Sequence, residues 1–278
     1  MSTISKPERA VSYLFLSLGA LAIIFPIYLT VITAFKTPDE IARNFFLPPG
    51  SFYLGNMQYI LTRSKFLLYV RNSLFVTVVS VSLIAVFTPM VSYSIARNMD
   101  HSRLYKGFYF YFLLAIFVPF QVIMVPLTLM MQKVNLMNHA GLIICYLSLA
   151  LTQSVFLYTG YIKSIPLELE ESSFMDGCNV PQTFFRIIYP LIAPMTATIV
   201  ILNALWVWND FLLPLLVLNK SNSFWTMPLF MFNFKNQYSF ESNLAFAAFL
   251  LALLPVIILY SSMQRYIIAG LTNGALKG

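Results

Sequence analysis

Apolar residues in this chain come in long unbroken runs separated by short polar stretches. Six runs stand out: Val11–Phe35, Leu74–Ile95, Gly107–Met131, Ala140–Ile162, Leu191–Leu218 and Leu244–Ile268. Each holds 22 to 28 residues. At about 1.5 Å per residue that is roughly 33–42 Å of helix, enough to cross a bilayer with some tilt. The pattern predicts an all-α polytopic membrane protein with six transmembrane helices. Pro26, Pro89, Pro119, Pro126, Pro214 and Pro255 lie inside the runs and predict kinks, because each frees a carbonyl that then needs another partner. Lys6 and Arg9 precede the first run, and Ala20-Leu-Ala22 resembles a signal-peptidase site. The run continues to Phe35, far beyond a signal-peptide core, and is read as a retained first span.

One connection departs from the rest. Ser164 to Pro190 holds Glu168, Glu170, Glu171 and Asp176 against a single base, Arg186, in a chain whose net charge is +7. Local chemistry predicts two short helices and a sharp turn. Ser164 is placed to cap the first helix, with Pro166 in the opening turn and three glutamates near the positive end of the dipole. Gly177 is placed to stop that helix in a left-handed conformation. Asn179 with Gln182 three residues on reads as a capping box for the second helix, and Pro190 as its end. Leu167, Glu171, Phe174 and Met175 share one face of the first helix, while Leu169 points the other way. A carboxylate amid apolar side chains asks for a basic partner outside the chain. Physical reasoning alone leaves this open against an ordinary solvated loop.

The sequence Glu171-Ser-Ser-Phe-Met-Asp-Gly177, nine residues, then Ile187-Ile-Tyr189-Pro190 resembles the E-A-A-x3-G-x9-I-x-L-P loop of ABC-importer permeases. Ser172 and Ser173 stand where the family has alanines, and Tyr189 where it has leucine; serine keeps the small volume that close helix docking needs. Asn72-Ser73, Tyr93-Ser-Ile-Ala-Arg97, Trp208-Asn-Asp-Phe211 with Pro214, and the Gly270–Gly278 tail extend the likeness along most of the chain. Together they are similar to the carbohydrate branch, and to the G-type rather than the F-type subunit of maltose-like systems.

The resemblance implies a type I importer permease fold with a cytoplasmic helix-turn-helix coupling loop at 164–190. The expected organisation is a cytoplasmic N-terminus (1–10), one transmembrane domain (11–268, core about 70–268) and a cytoplasmic tail (269–278). It implies a bacterial cytoplasmic-membrane subunit that imports a sugar or oligosaccharide; a non-sugar solute is the alternative. Its implied partners are a second homologous permease forming a heterodimer, two cytoplasmic ATPases and an extracellular solute-binding protein. ATP and Mg belong to the ATPases, and this chain is expected to bind no cofactor or metal itself. Leu167, Glu168, Glu171, Ser172, Ser173, Phe174, Met175, Asp176 and Gly177 are the implied ATPase contacts. Glu171 and Asp176 would anchor charge contacts, Phe174 and Met175 would fill the groove, and Gly177 would permit the turn. The tail after Ile268 has no apolar face and reads either as a frayed end or as a segment reaching the ATPase interface.

Composition agrees with a membrane protein: 59% hydrophobic, 10% charged and a mean hydropathy of +0.77, against about 25% charge in a soluble domain. The basic residues are scattered between the apolar runs, which suits anionic headgroups and not nucleic acid. They do not set orientation, since nine lie on one side of the expected topology and eight on the other. Cytoplasmic termini follow from the even span number and the resemblance. In that topology the 36–69 connection is outside, with Phe52, Tyr53, Tyr59, Phe66 and Leu67 suited to the membrane interface. The short basic stretch Arg97–Lys106 reads as a static cytoplasmic anchor, with direct ATPase contact as the alternative.

No G-x-x-x-x-G-K-[ST] motif is present, so ATP hydrolysis falls to a partner and the chain is not an enzyme. Cys145 and Cys178, and the lone His101 and His139, form no disulfide, metal or catalytic pattern. A self-sufficient secondary transporter would show inverted repeats and paired ionisable groups at mid-depth; no repeat is visible, and Asp210 is the only acid well inside a run. A charge at Asp210 should face a cavity or a partner and not lipid, which makes Asp210 a substrate-path candidate. Asn203, Trp206, Asp210 and Pro214 are spaced as one helical face, and amide, carboxylate and indole together suit sugar hydroxyls and a sugar's C–H face. Packing of Trp206 and Trp208, with Asp210 in a helix–helix hydrogen bond, fits the same pattern. Asn209, Gln121 on the third run, and Gln153 with Tyr158 on the fourth complete the path candidates. Met124, Met130 and Met131 read as packing.

Overall fold

The computed structural model describes residues 6–237 and 242–275, and among them there is no strand. In chain order the helices are α1 (Lys6–Ala34), α2 (Pro38–Arg43), α3 (Gly55–Arg63), α4 (Phe66–Asn98), α5 (Arg103–Ala115), α6 (Phe120–Lys133) and α7 (His139–Lys163). They continue as α8 (Glu168–Met175), α9 (Val180–Thr183), a π-helical turn (Phe184–Ile188), α10 (Tyr189–Leu191) and α11 (Ala193–Asn209). Then come α12 (Leu212–Val217), a 3₁₀ turn (Asn222–Phe224), α13 (Met227–Gln237) and α14 (Ser242–Ala275). Among the described residues, segments Val11–Ala34, Phe66–Asn98 and His139–Lys163 are each long and apolar enough to cross a membrane, and the number rises to five if each of two bent helix pairs counts as one span. The sixth apolar run forms α14, whose first part, Ser242–Pro255, is apolar.

Two of the expected spans are broken and not merely kinked. The run Gly107–Met131 divides into α5 and α6, bent by 108°. Pro119 is the N-cap residue of α6, and backbone turns at Ile116, Phe117 and Val118 replace helix there. Pro119 cannot continue the helical hydrogen bonding, and its ring drives the preceding residue out of helical geometry. The run Leu191–Leu218 also ends its helix early: α11 stops at Asn209, Asp210 is extended, and α12 is a separate short helix. By contrast Pro26, Pro89, Pro126 and Pro255 remain inside helices. The helical backbone runs on to Ala275, where a tail was expected from residue 269; the last three residues lie outside the described ones.

The chain divides into two compact units, Met1–Leu67 with Phe230–Pro255, and Leu68–Leu229 with Val256–Gly278. In the first unit, buried Asn56 donates through Nδ2 to the carbonyls of Ala34 (2.9 Å) and Lys36 (2.8 Å), and its Oδ1 accepts from Asn243 (2.7 Å). Buried Lys36 donates from Nζ to the carbonyls of Asn44 (2.9 Å) and Phe45 (3.0 Å) at the end of α2. A capping box between Thr37 and Glu40 starts that helix. Polar side chains thus fold the 36–69 connection back on itself. Phe52, Tyr53, Tyr59 and Leu67 are exposed, whereas Phe66 is buried and meets Phe230 with ring centroids 6.5 Å apart.

In the second unit two apolar clusters lie along α4 and α7. One gathers Val76, Met131, Leu142, Tyr146, Val207, Leu213 and Leu229; the other gathers Ile84, Tyr93, Tyr158, Ile162, Phe184, Ile188 and Ile199. The start of α7 is fixed by Asn138, whose side chain accepts from Ala140 and Gly141. A Cβ at Gly141 would strike the backbone carbonyl of Leu136, which cannot yield like a side chain. We expect Gly141→Ala to lower the thermal midpoint of the detergent-solubilised protein by several degrees, with Gly160→Ala, which meets open space, as the control.

Candidate functional site

The 164–190 connection is built from local caps. Ser164 is not the cap of the first helix: it closes α7, its hydroxyl donating to Tyr161 O (2.7 Å), and α8 begins at Glu168 after Leu167. At the other end of α8, Gly177 adopts φ +84°. Gly177 N–H donates to Phe174 O and Cys178 N–H to Ser173 O, both at 3.0 Å, the paired bonds of a Schellman stop. Asn179 and Gln182 then form the reciprocal capping box, at 2.9 and 3.0 Å. Pro190 does not end the second helix. Lacking an N–H, it sits just beyond the π-helical turn Phe184–Ile188, and α10 carries on through it.

α8 has two unlike sides. Glu170 and Ser173, one turn apart, are buried. Ser173 Oγ donates to Glu170 O (2.8 Å) and lies 2.7 Å from Thr183 Oγ1, which latches α8 to α9. Glu170 accepts from Arg97 Nε at 2.7 Å and from the Tyr93 hydroxyl at 2.5 Å, and Arg97 also donates to Ile165 O (3.1 Å). Sequence reasoning passed over this pair, placing the charge contact at Glu171 and treating Arg97 as part of a basic loop. The signal was there: Tyr93 and Arg97 are one helical turn apart, two donors on one face. The opposite side of α8 is open. Leu167, Glu168, Leu169, Glu171, Ser172, Phe174, Met175 and Asp176 are exposed, Met175 at 88%. Glu168, Glu171 and Asp176 make no ion pair among the described residues. Nearby, Lys163 pairs with Asp100 at 2.8 Å, and that contact holds the Asp100 carboxyl below its ordinary pKa.

The second candidate region is a cavity of about 940 Å³ in the same unit. Gln153, Asn203, Trp206 and Asp210 share its wall with mainly apolar side chains from α5, α6 and α7. Asp210 Oδ2 accepts from the Tyr146 hydroxyl (3.0 Å) and Oδ1 from Leu212 N–H (3.1 Å), so the carboxylate also caps α12. Trp206 meets Tyr146 edge to face, with centroids 5.3 Å apart, and its indole is partly exposed to the cavity. The Asn203 amide donates to Ile199 O (2.8 Å). The four-residue face does not persist as one helix, because α11 ends before Asp210 and Pro214 is buried in α12. Trp208 is buried. The remaining candidates lie off the cavity wall: Gln121 is exposed on α6, Asn209 bonds to Leu205 O, and Tyr158 is buried with its hydroxyl donating to Thr196 Oγ1 (3.1 Å).

Known proteins resemble the chain over most of its length. Residues 85–273 match the family described as binding-protein-dependent transport system inner membrane component. The chain is 44% identical to the multiple sugar-binding transport system permease protein MsmG of Streptococcus mutans over 95% of this chain and 96% of that protein. It is 36% identical to the probable starch degradation products transport system permease protein AmyC of Thermoanaerobacterium thermosulfurigenes, over 91% and 92%. Its fold is similar to a chain in the crystal structure of a bacterial ABC transporter involved in the import of the acidic polysaccharide alginate, with a TM-score of 0.83, 22% identity and coverage of 96% and 99%. On these matches the chain belongs to the family of binding-protein-dependent transport system inner membrane components.

Proposed function

We propose that this chain is a permease subunit of an ATP-driven importer of a sugar or oligosaccharide, driven by a separate ATPase through the 164–190 loop. The observation that carries the reading is the two-sided α8. One side is fixed to α4 by Glu170 and to α9 by Ser173, and the other presents apolar and acidic side chains that the fold itself does not use. Such a face fits a basic, grooved partner on the cytoplasmic side. Glu171 and Asp176 supply charge there, Phe174 and Met175 fill the groove, and Gly177 sets the turn. Relatives named for sugars and starch products support the solute class. In this reading both termini are cytoplasmic and a second, homologous permease completes the path. An outside binding protein delivers the solute, and ATP with Mg is held by two ATPase subunits. Closure of the ATPases displaces the loop, and the spans rock between inward- and outward-open states.

The cavity of about 940 Å³ then lies on the solute's path. Trp206 offers an indole for stacking against a sugar ring, while Gln153, Asn203 and Asp210 offer polar atoms. We expect Trp206→Ala to leave co-purification of the ATPase unchanged and to reduce uptake about tenfold, on the scale of one lost aromatic contact. The measurement is uptake of radiolabelled maltotriose, raffinose and arabinotriose by cells expressing the complete transporter. Wild-type uptake with the variant would take Trp206 off the path. Uptake by this chain purified without any ATPase would overturn the importer reading altogether.

A further inference from the structure

α4 is held at both ends, by different means. At one end, Arg97 and Tyr93 grip Glu170 of α8, and Arg97 reaches the carbonyl of Ile165 as well. The Tyr93 ring also packs on Phe184 of the second arm of the loop, with centroids 5.2 Å apart. One turn of α4 therefore touches both arms. Roughly 32–38 Å away at 1.5 Å per residue, Asn72 Nδ2 donates to the carbonyls of Ser223 (2.8 Å) and Trp225 (3.0 Å). Its neighbour Ser73 accepts Met227 N–H at 2.7 Å. Nine residues separate the segment so pinned from Leu213, and Val76 of α4 shares a buried apolar cluster with Leu213, which lines the cavity beside Asp210 and Leu212.

Between those ends lies the proline. Pro89 has no N–H to give to the carbonyl of Ala85, and the Tyr189 hydroxyl donates to that carbonyl at 3.3 Å. Tyr189 is the position at which this chain departs from the family's leucine. Thus a weak point of α4 is itself bonded to the second arm of the loop. The covalent routes out of the loop are softer. Residues Ser164 to Leu167 form a turn after α7, and a 76° bend separates Val180–Leu191 from α11.

We propose that α4 is the strut that carries displacement of the coupling loop to the outer wall of the cavity, with Tyr93, Arg97 and Glu170 as the positioning residues that engage it. This rests on the reading of the loop as the ATPase contact. The charge pair is sheltered from solvent, so it moves with the loop and does not trade partners with water. The salt bridge supplies stiffness at the point where the chain's own connections bend.

The test uses the transporter complex co-purified with its ATPase, in a Cys178→Ser background. Nitroxide labels are placed at exposed Val134 and exposed Asn219. Electron-paramagnetic-resonance distances are recorded with and without ATP and vanadate. We expect the wild-type distance distribution to shift on trapping. Arg97→Gln, Glu170→Gln and Tyr93→Phe should trap nucleotide normally yet lose most of the shift. The Arg97→Gln/Glu170→Gln double variant should be no worse than either single, and Arg97→Lys should keep part of the shift. Tyr93→Phe removes one hydroxyl, so it decides the matter should the charge variants fail to assemble. A full shift in these variants, or no shift in wild type, overturns the strut. Wild type that brings down no ATPase overturns the underlying reading of the loop instead.

Discussion

Gly177→Val is expected to cut ATP-driven uptake by at least about tenfold, while Gly177→Asn keeps most of it. The reason is conformational and not steric. Gly177 holds φ +84°, and a Cβ built on it meets nothing within 4 Å. Space is therefore available for any side chain, and the penalty comes from forcing an L-residue into the left-handed region. That costs about 1–2 kcal/mol for an ordinary residue, more for a β-branched one, and least for asparagine. The cost falls on the two bonds that stop α8, Gly177 N–H to Phe174 O and Cys178 N–H to Ser173 O. Ser173 is also the latch to Thr183, so loss of the stop loosens α9 together with α8. The check is uptake by cells with matched amounts of the variants in the membrane, by immunoblot. Equal activity of valine and asparagine variants would show that the left-handed turn does not matter to transport.

Several features of this chain that depend on neighbours in sequence could be read from the sequence, although Ser164 closes α7 and Pro190 lies within α10 against the local reading. Gly177, Asn179 and Gln182 are local chemistry, and each takes its expected role, because a helix stop and a capping box are settled within a few residues. The apolar runs place their helices for the same reason. What the runs do not encode is how far a proline bends them. Pro89 leaves α4 continuous where Tyr189 supplies a hydroxyl, whereas Pro119 heads a separate helix at a 108° bend. Periodicity does not report which proline breaks its helix and which is absorbed. Arg97 and Glu170 are 73 residues apart, and nothing local distinguishes the buried Glu170 from the exposed Glu171 beside it. Of the path candidates, Asn203, Trp206, Asp210 and Gln153 share a cavity wall, while Tyr158 has the same polar character and is buried against Thr196. Polarity within an apolar run marks a residue that needs a partner, and the fold decides whether that partner is protein or solute.

Glu171→Arg is expected to remove the ATPase from the purified complex while the second permease stays bound. The exposed side of α8 carries Glu168, Glu171 and Asp176 around Phe174 and Met175, and none of these acids has an ion pair among the described residues. A competing explanation is intrinsic: Glu168, Glu170 and Glu171 lie in the first turn of α8, where negative charge favours the helix dipole whatever the helix touches. The two explanations differ in what they predict for charge removal and charge reversal. If the acids serve only the dipole, Glu171→Gln and Glu171→Arg weaken α8 in small steps and the ATPase still co-purifies. If they meet a basic groove, Glu171→Gln weakens retention in a salt-dependent way and Glu171→Arg abolishes it, because like charges are then pressed together as the interface dries. Glu168→Arg, a second reversal on the same exposed side, is expected to weaken retention as well if the partner is a basic groove. The readout is the ATPase-to-permease ratio after affinity purification in detergent at low and at high salt. Retention of the ATPase by Glu171→Arg at the wild-type ratio would leave these carboxylates with helix stabilisation as their only role. Loss of the ATPase from Glu171→Arg, with the second permease still present and salt-dependent retention by Glu171→Gln, places the basic partner against this face of α8 and separates docking, on the open side of the helix, from the buried grip of Glu170 on the other.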